Sequence, residues 1–100
     1  MAERKPYRVD ELAWAEVEAA DQRYSERSED AGSAFVLEVI EAFETISQAP
    51  QRWPEYLYGT RRYLLHHFPL SIVYLDGPDA VTFVAVSHNK RRPGYWRQRV

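Results

Sequence analysis

The end of the chain places a histidine, several cationic side chains and two aromatic rings within a short segment. The apolar stretch 81–86 runs directly into Ser87 and His88. The residues that follow include Lys90, Arg91, Arg92, Tyr95, Trp96, Arg97 and Arg99. No carboxylate follows Asp79 in the sequence. Cations interleaved with aromatic rings are suited to binding a polyanion, and RNA is the first candidate.

Charge is divided unequally between the two halves of the chain. The net charge of −2 argues against a generic nucleic-acid-binding domain, because such domains usually carry a basic excess. Residues 1–55 contain thirteen acidic and six basic side chains, whereas residues 56–100 contain two acidic and seven basic ones. We interpret the acidic half as a solvated helix surface and the basic half as a binding surface.

Length and composition limit the class of protein. One hundred residues predict a single domain, 1–100, that folds without disulfides, since the sequence contains no cysteine. The three histidines, His66, His67 and His88, lack the spacing of metal ligands on one element, so we expect neither a metal site nor a cofactor. No apolar run reaches the length of a signal peptide or a membrane span, which predicts a cytoplasmic protein without membrane association.

Two helices are predicted in the first half. A β-prone stretch at 6–9 is followed by Asp10, a favourable N-cap, which predicts a helix over 11–27. Its apolar stripe consists of Ala13, Val17, Ala20 and Tyr24, and the residues expected to face water are Glu16, Glu18 and Asp21. Ser28 or Asp30 caps a second helix that ends at Ala49-Pro50, where proline disfavours helical geometry. Its apolar residues are Phe35, Val39, Ala42, Phe43 and Ile46.

Three strands are predicted in the second half, at 61–67, 70–75 and 80–88, separated by turn signals that contain proline and glycine. Short connections favour an antiparallel meander. The expected fold is therefore α+β: a helical hairpin on one face of a small, mainly antiparallel four-stranded sheet, in the order β-α-α-β-β-β, with a basic C-terminal tail. We expect the second helix to face Val73 and Val84, and the opposite face of the sheet to remain open for function.

These features together resemble the RelE/ParE superfamily of toxins from type II toxin-antitoxin modules. The resemblance covers nearly the whole chain and rests on the element order, the passage 46–54, the Arg61-Arg62 pair, the run 68–74 and the ending 85–96. It implies a bacterial growth inhibitor, of the plasmid-stabilisation type, that a cognate antitoxin holds inactive. RelE-like members cut messenger RNA in the ribosomal A site, and ParE-like members poison DNA gyrase. Fold alone does not separate these two activities.

The residues after the last predicted strand favour messenger RNA cleavage by a small margin. A ribonuclease without a metal needs a proton-transfer pair and fixed cations around the phosphate. His88 is the best placed for proton transfer, because histidine changes charge near neutral pH. The resemblance places Tyr95 where RelE-like toxins carry a catalytic tyrosine, and Arg91 and Arg92 where the family carries a phosphate-binding arginine. The expected catalytic set is His88, Tyr95 and Arg91.

Other residues are expected to bind RNA or another target. They are Arg61, Arg62, His67, Lys90, Arg92, Trp96 and Arg97. The chain departs from RelE at Ser71, where RelE has an arginine, and at positions 64–67, where RelE displays lysines. Three alternatives therefore stay open: a gyrase inhibitor that is not an enzyme, a non-catalytic RNA-binding module, and a tail in which Tyr95 and Trp96 pack on the sheet while the basic residues contact an acidic antitoxin segment.

Overall fold

A computed structural model describes residues 4–100 and confirms the predicted order of elements. The elements are β1 (Tyr7–Val9), α1 (Glu11–Arg27), α2 (Glu29–Gln48), β2 (Arg61–Leu64), β3 (Leu70–Asp76) and β4 (Val81–His88), with short 3₁₀ turns at Leu57–Gly59 and Arg97–Arg99. The four strands form one sheet in the order β1-β4-β3-β2. Only the β1–β4 pair among these strands is parallel, so the sheet is mixed and mostly antiparallel.

Side-chain caps set the bounds of the helical hairpin. The Leu12 backbone N–H donates to the Asp10 carboxylate at 2.8 Å, which satisfies one of the free donors at the start of α1. Ser28 closes α1 through its backbone N–H and begins α2 by accepting the Ala31 N–H on its hydroxyl. One residue thus serves both helices, and this explains the tight turn. At Gly32 a Cβ would lie 1.9 Å from the Ser25 hydroxyl oxygen, so a larger residue would force the Ser25 side chain to move.

The main core lies between the hairpin and one face of the sheet. The predicted apolar residues of α2 are all buried there, and the Phe43 ring stacks on Phe83 with centroids 4.1 Å apart. The expectation that α2 faces Val73 and Val84 is wrong, because Ile72, Tyr74 and Phe83 point to the helices instead. Both sets of side chains are apolar, so the strand sequence alone does not identify the face that the helices cover.

The opposite face of the sheet is covered, which corrects the expectation of an open face. Between Val73 and Tyr74 the pairing partner on β4 shifts from Ala85 to Phe83, so Val84 is an extra residue in that strand. Val84 and Ala85 both lie in a second, smaller core with Val73. Trp96 from the C-terminal tail closes this core and is only 2% exposed. The tail is therefore packed against the sheet, as one of the alternatives predicted.

Strand β2 ends at Leu64, three residues earlier than predicted. The Glu38 carboxylate on α2 accepts the backbone N–H groups of His66 and His67, and the Leu65 N–H donates to the Leu70 carbonyl. These bonds turn the chain toward β3 before the end of the β-prone segment 61–67. A side chain distant in sequence therefore overrides local strand propensity here.

Candidate target-binding site

The carboxylate of Glu16 joins helix α1 to the tail, defined as residues 89–100. Its oxygens accept the Val86 backbone N–H at 3.1 Å, the Arg91 guanidinium at 3.2 Å and the Arg99 guanidinium at 2.9 Å. They also accept the Tyr95 hydroxyl hydrogen. The side chains of Glu16 and Arg99 are both largely buried. The predicted exposure of Glu16 to water is therefore wrong, and the residue is the centre of a partly buried polar cluster.

The Tyr95 ring lies inside this cluster. The Arg91 guanidinium carbon is 3.5 Å from the ring centroid, and the Arg99 carbon is 5.2 Å from it. Burial, followed by the hydrogen bond to Glu16, raises the pKa of Tyr95 to about 12. The hydroxyl therefore holds its proton at neutral pH and has an internal partner. This geometry stabilises the tail.

His88 lies at the end of β4, and with Glu16 and Arg91 it lines a recess of about 170 Å³ beside the carboxylate that binds the Tyr95 hydroxyl. Its Nδ1 accepts the Lys90 backbone N–H at 3.1 Å. With Arg62 and Arg91 it lines a pocket of about 50 Å³, which Tyr95 does not line. The structure thus brings His88 and Arg91 together, and it places the Tyr95 hydroxyl in the neighbouring Glu16 cluster.

The two arginines that begin β2 make different contacts. Arg61 donates to the Trp53 carbonyl at 2.7 Å and lies 3.8 Å from Glu55, so its guanidinium holds the loop before the strand. Arg62 lies over the Tyr56 ring, 4.4 Å from its centroid, and reaches the His88 pocket. Of the pair, Arg62 is the one that lies on the same surface as the tail.

His67 lies near the hairpin. Its Nδ1 is 2.7 Å from the Glu38 carboxylate. Burial raises the pKa of Glu38, but the bonds from the His67 ring and two backbone N–H groups outweigh that effect and lower the pKa overall. His67 also lines a broad groove between α2 and β2, about 670 Å³ in volume, together with Leu37, Tyr63 and Phe68. His67 therefore lies at this groove and makes its contacts with α2.

The remaining predicted cations line the outside of the tail. Lys90, Arg92 and Arg97 are all exposed. The Arg97 guanidinium lies over the Tyr58 ring, 4.6 Å from its centroid. The surface formed by the tail and the loop 56–59 is therefore both cationic and aromatic, and we call it the tail surface.

Sequence reasoning missed two residues of this region, Glu16 and Tyr58. Glu16 follows Ala13 by three residues and precedes Ala20 by four, so helical spacing already placed it beside the buried stripe. That spacing was an available signal. Nothing in the sequence around Tyr58 marked it, because its contacts come from Arg97 and Trp96, distant along the chain.

Two kinds of feature are absent from residues 4–100. Within this range no three His, Cys, Asp or Glu side chains are grouped so as to hold a metal ion. None of the helices described there has the length and apolar character needed to cross a membrane.

Comparison with known proteins now gives the family. The sequence profile described as the ParE toxin of the type II toxin-antitoxin system parDE matches residues 7–93. A solved structure titled "Chromosomal ParDE TA system from P. aeruginosa" superimposes with a TM-score of 0.74 at 17% identity, and the match covers 85% of this chain and 96% of that one. At this identity the structural match shows a shared fold. No curated protein sequence matches the chain.

Proposed function

The chain belongs to the ParE toxin family of type II toxin-antitoxin systems, and from this premise we propose that it arrests growth by binding DNA gyrase and cuts no RNA. It is a toxin of the RelE/ParE superfamily, and its family implies a cognate antitoxin as partner. The proposed gyrase target places its action in the cytoplasm. Under this proposal the toxin is a binding protein with no catalytic residues and no cofactor.

One observation carries the proposal: the Tyr95 hydroxyl is bound to Glu16. In the cleavage hypothesis this hydroxyl exchanges protons with RNA, which requires an accessible group that is poised near the working pH. The Tyr95 hydroxyl instead has a buried carboxylate as partner and a pKa of about 12. Arg91 is shared with the same carboxylate, so part of its charge is already neutralised. Both groups support a folded tail.

RNA cleavage remains the second candidate because of the pocket at His88. Arg62 and Arg91 line that pocket together with the imidazole, and no carboxylate lines it. This pocket is small, at about 50 Å³. His88 also lines a larger groove of about 510 Å³ together with Tyr24 and Phe68, whose rings offer surfaces on which a base can stack.

We place the antitoxin in the groove between α2 and β2. Leu37 on its wall is 58% exposed, and β2 is an edge strand whose outer side is paired near its start, where the Arg62 N–H donates to the Pro54 carbonyl and Glu55 bridges to Arg61. An apolar segment that folds on contact can cover Leu37 and Phe68 and add hydrogen bonds at this edge. The groove and the tail surface are built from different elements, so antitoxin and target binding are open to separate mutation.

Induction of the toxin without its antitoxin in a related bacterium tests the proposed function. We expect growth arrest with double-strand breaks and a DNA-damage response, while primer extension shows intact transcripts. Coexpression of the neighbouring antitoxin gene should restore growth. Cuts phased with codons inside translated regions, without DNA damage, would promote RNA cleavage and reject the gyrase proposal.

A further inference from the structure

Tyr58 has an unfavourable backbone conformation at the protein surface. Its φ and ψ angles are 56° and 41°, in the left-handed region that residues with a Cβ rarely adopt. The following residue, Gly59, has a φ of 78°. Glycine and asparagine adopt this backbone conformation at a lower energetic cost than tyrosine does. Backbone strain that persists at one surface residue is a reason to look for a function there.

The structure around the strained residue fixes its side chain. The Thr60 hydroxyl donates to the Leu57 carbonyl at 2.6 Å and closes the turn. The Tyr58 ring meets the buried Trp96 edge to face, with centroids 5.9 Å apart. At Gly94, where φ is 81°, a Cβ would lie 3.0 Å from the Tyr58 ring. The tail and the loop thus fit against each other, and the tyrosine is held in one orientation.

Despite these contacts, Tyr58 is 49% exposed and its neighbour Leu57 is 37% exposed. Arg97 lies over the tyrosine ring, and Arg62 lies over Tyr56 in the same loop. A tyrosine beside an arginine is the composition of a protein-binding hot spot. The charge of this half of the chain is basic, with seven cationic and two acidic side chains over residues 56–100.

We propose that Leu57, Tyr58 and Arg97 form the centre of the surface that binds an acidic patch on the toxin's protein target. This inference rests on the proposed function and names the part of the tail surface that makes the contact. Electrostatic complementarity specifies the acidic patch, and Leu57 specifies an apolar contact within it. A protein is favoured over single-stranded RNA because Arg97 already covers one face of the Tyr58 ring, the surface on which a base would stack.

Tyr58→Asn is the decisive variant, because asparagine tolerates the left-handed conformation and removes the ring. We expect its melting temperature to stay near that of the wild type, as relief of strain offsets the lost contacts. Its half-inhibitory concentration against gyrase supercoiling should rise at least about tenfold, the usual loss at a hot spot. Arg97→Gln should show the same loss. Leu12→Ala, at an apolar residue of similar exposure on α1, is the matched control and should change neither quantity.

Different results separate the inference from the proposed function. If Tyr58→Asn and Arg97→Gln inhibit gyrase as well as the wild type does, the inference is wrong and the gyrase proposal stands. A fall in melting temperature with a parallel loss of antitoxin binding shows that Tyr58 is only structural, which also overturns the inference. Binding of a short single-stranded RNA that depends on Tyr58 would reject the protein target. If the wild type does not inhibit gyrase, the proposed function itself fails.

Discussion

Tyr95 distinguishes the two mechanisms at the level of a single hydroxyl group. In the binding account, Tyr95→Phe removes one hydrogen bond to the Glu16 carboxylate, worth about 1.5–3 kcal/mol of unfolding free energy, and as long as the protein stays folded its toxicity should change by less than about tenfold. In the cleavage account, the same change removes a proton-transfer group worth about 10²–10⁴ in rate. Growth inhibition measured over a range of inducer concentrations, with antitoxin binding as the folding control, separates these values. A loss in the larger range would contradict the binding account.

Two tyrosines give the folded state a dependence on alkaline pH. Burial is the main cause that raises the pKa values of Tyr74 and Tyr95 to about 12. Tyrosine in the unfolded chain loses its proton at about pH 10. The folded state therefore keeps these protons longer, and the stability they contribute is fully present below about pH 10 and is lost as the pH rises toward 12.

Denaturant titration over this pH range measures the effect. We expect the free energy of unfolding to fall as the pH increases, and Tyr95→Phe to reduce the slope. All other titratable groups are the same in the two proteins, so the difference between their slopes belongs to Tyr95 alone. An identical slope in the two proteins would show that Tyr95 is not buried beside Glu16.

At the scale of elements, Glu16 links α1 to the tail. Glu16→Ala leaves the largely buried Arg99 guanidinium without its carboxylate partner and with the Val84 carbonyl as its remaining acceptor, which should cost about 3–5 kcal/mol of unfolding free energy. Glu18→Ala, at an exposed position of the same helix, is the matched control and should stay within about 0.5 kcal/mol. Amide hydrogen exchange should also rise in residues 89–100. Equal stability of the two variants would contradict the role given to Glu16.

Packing between α2 and the sheet depends on Phe43. The ring stacks on Phe83 and is almost fully buried, so Phe43→Ala should cost about 3–5 kcal/mol. Leu37→Ala changes an exposed residue of the same helix and serves as the control. Chemical denaturation followed by circular dichroism gives both values. A Phe43→Ala protein as stable as the control would mean that α2 is rotated away from the sheet.

The elements show where prediction from sequence succeeds and where it fails. The bounds of α1 and the hairpin turn follow from Asp10 and Ser28, because capping is a local interaction. The sequence does not show which side chains of β3 and β4 point to the helices. Both faces of these strands carry apolar side chains, and the bulge at Val84 changes their alternation. The contacts of Glu16 were not predicted, because its partners come from β4 and the tail, which only the fold brings together.

The whole molecule separates the two proposed binding surfaces on opposite sides of the sheet. The hairpin covers one face, and the groove beside Leu37 lies between α2 and the edge strand β2. The tail covers the other face, and its cations lie outside the small core closed by Trp96. The unequal division of charge along the sequence therefore becomes a division between surfaces. Inhibition of the target should weaken with added salt, because exposed charges are screened.

Supercoiling of relaxed plasmid by purified DNA gyrase, titrated with toxin freed from its antitoxin, tests the central claim most directly. The account predicts that supercoiling falls as toxin is added, that linear DNA accumulates from trapped cleavage complexes, and that antitoxin reverses both. The same toxin should leave messenger RNA intact on translating ribosomes. Unaffected supercoiling, together with cuts in ribosome-bound messenger RNA, would contradict the account and establish messenger RNA cleavage as the activity.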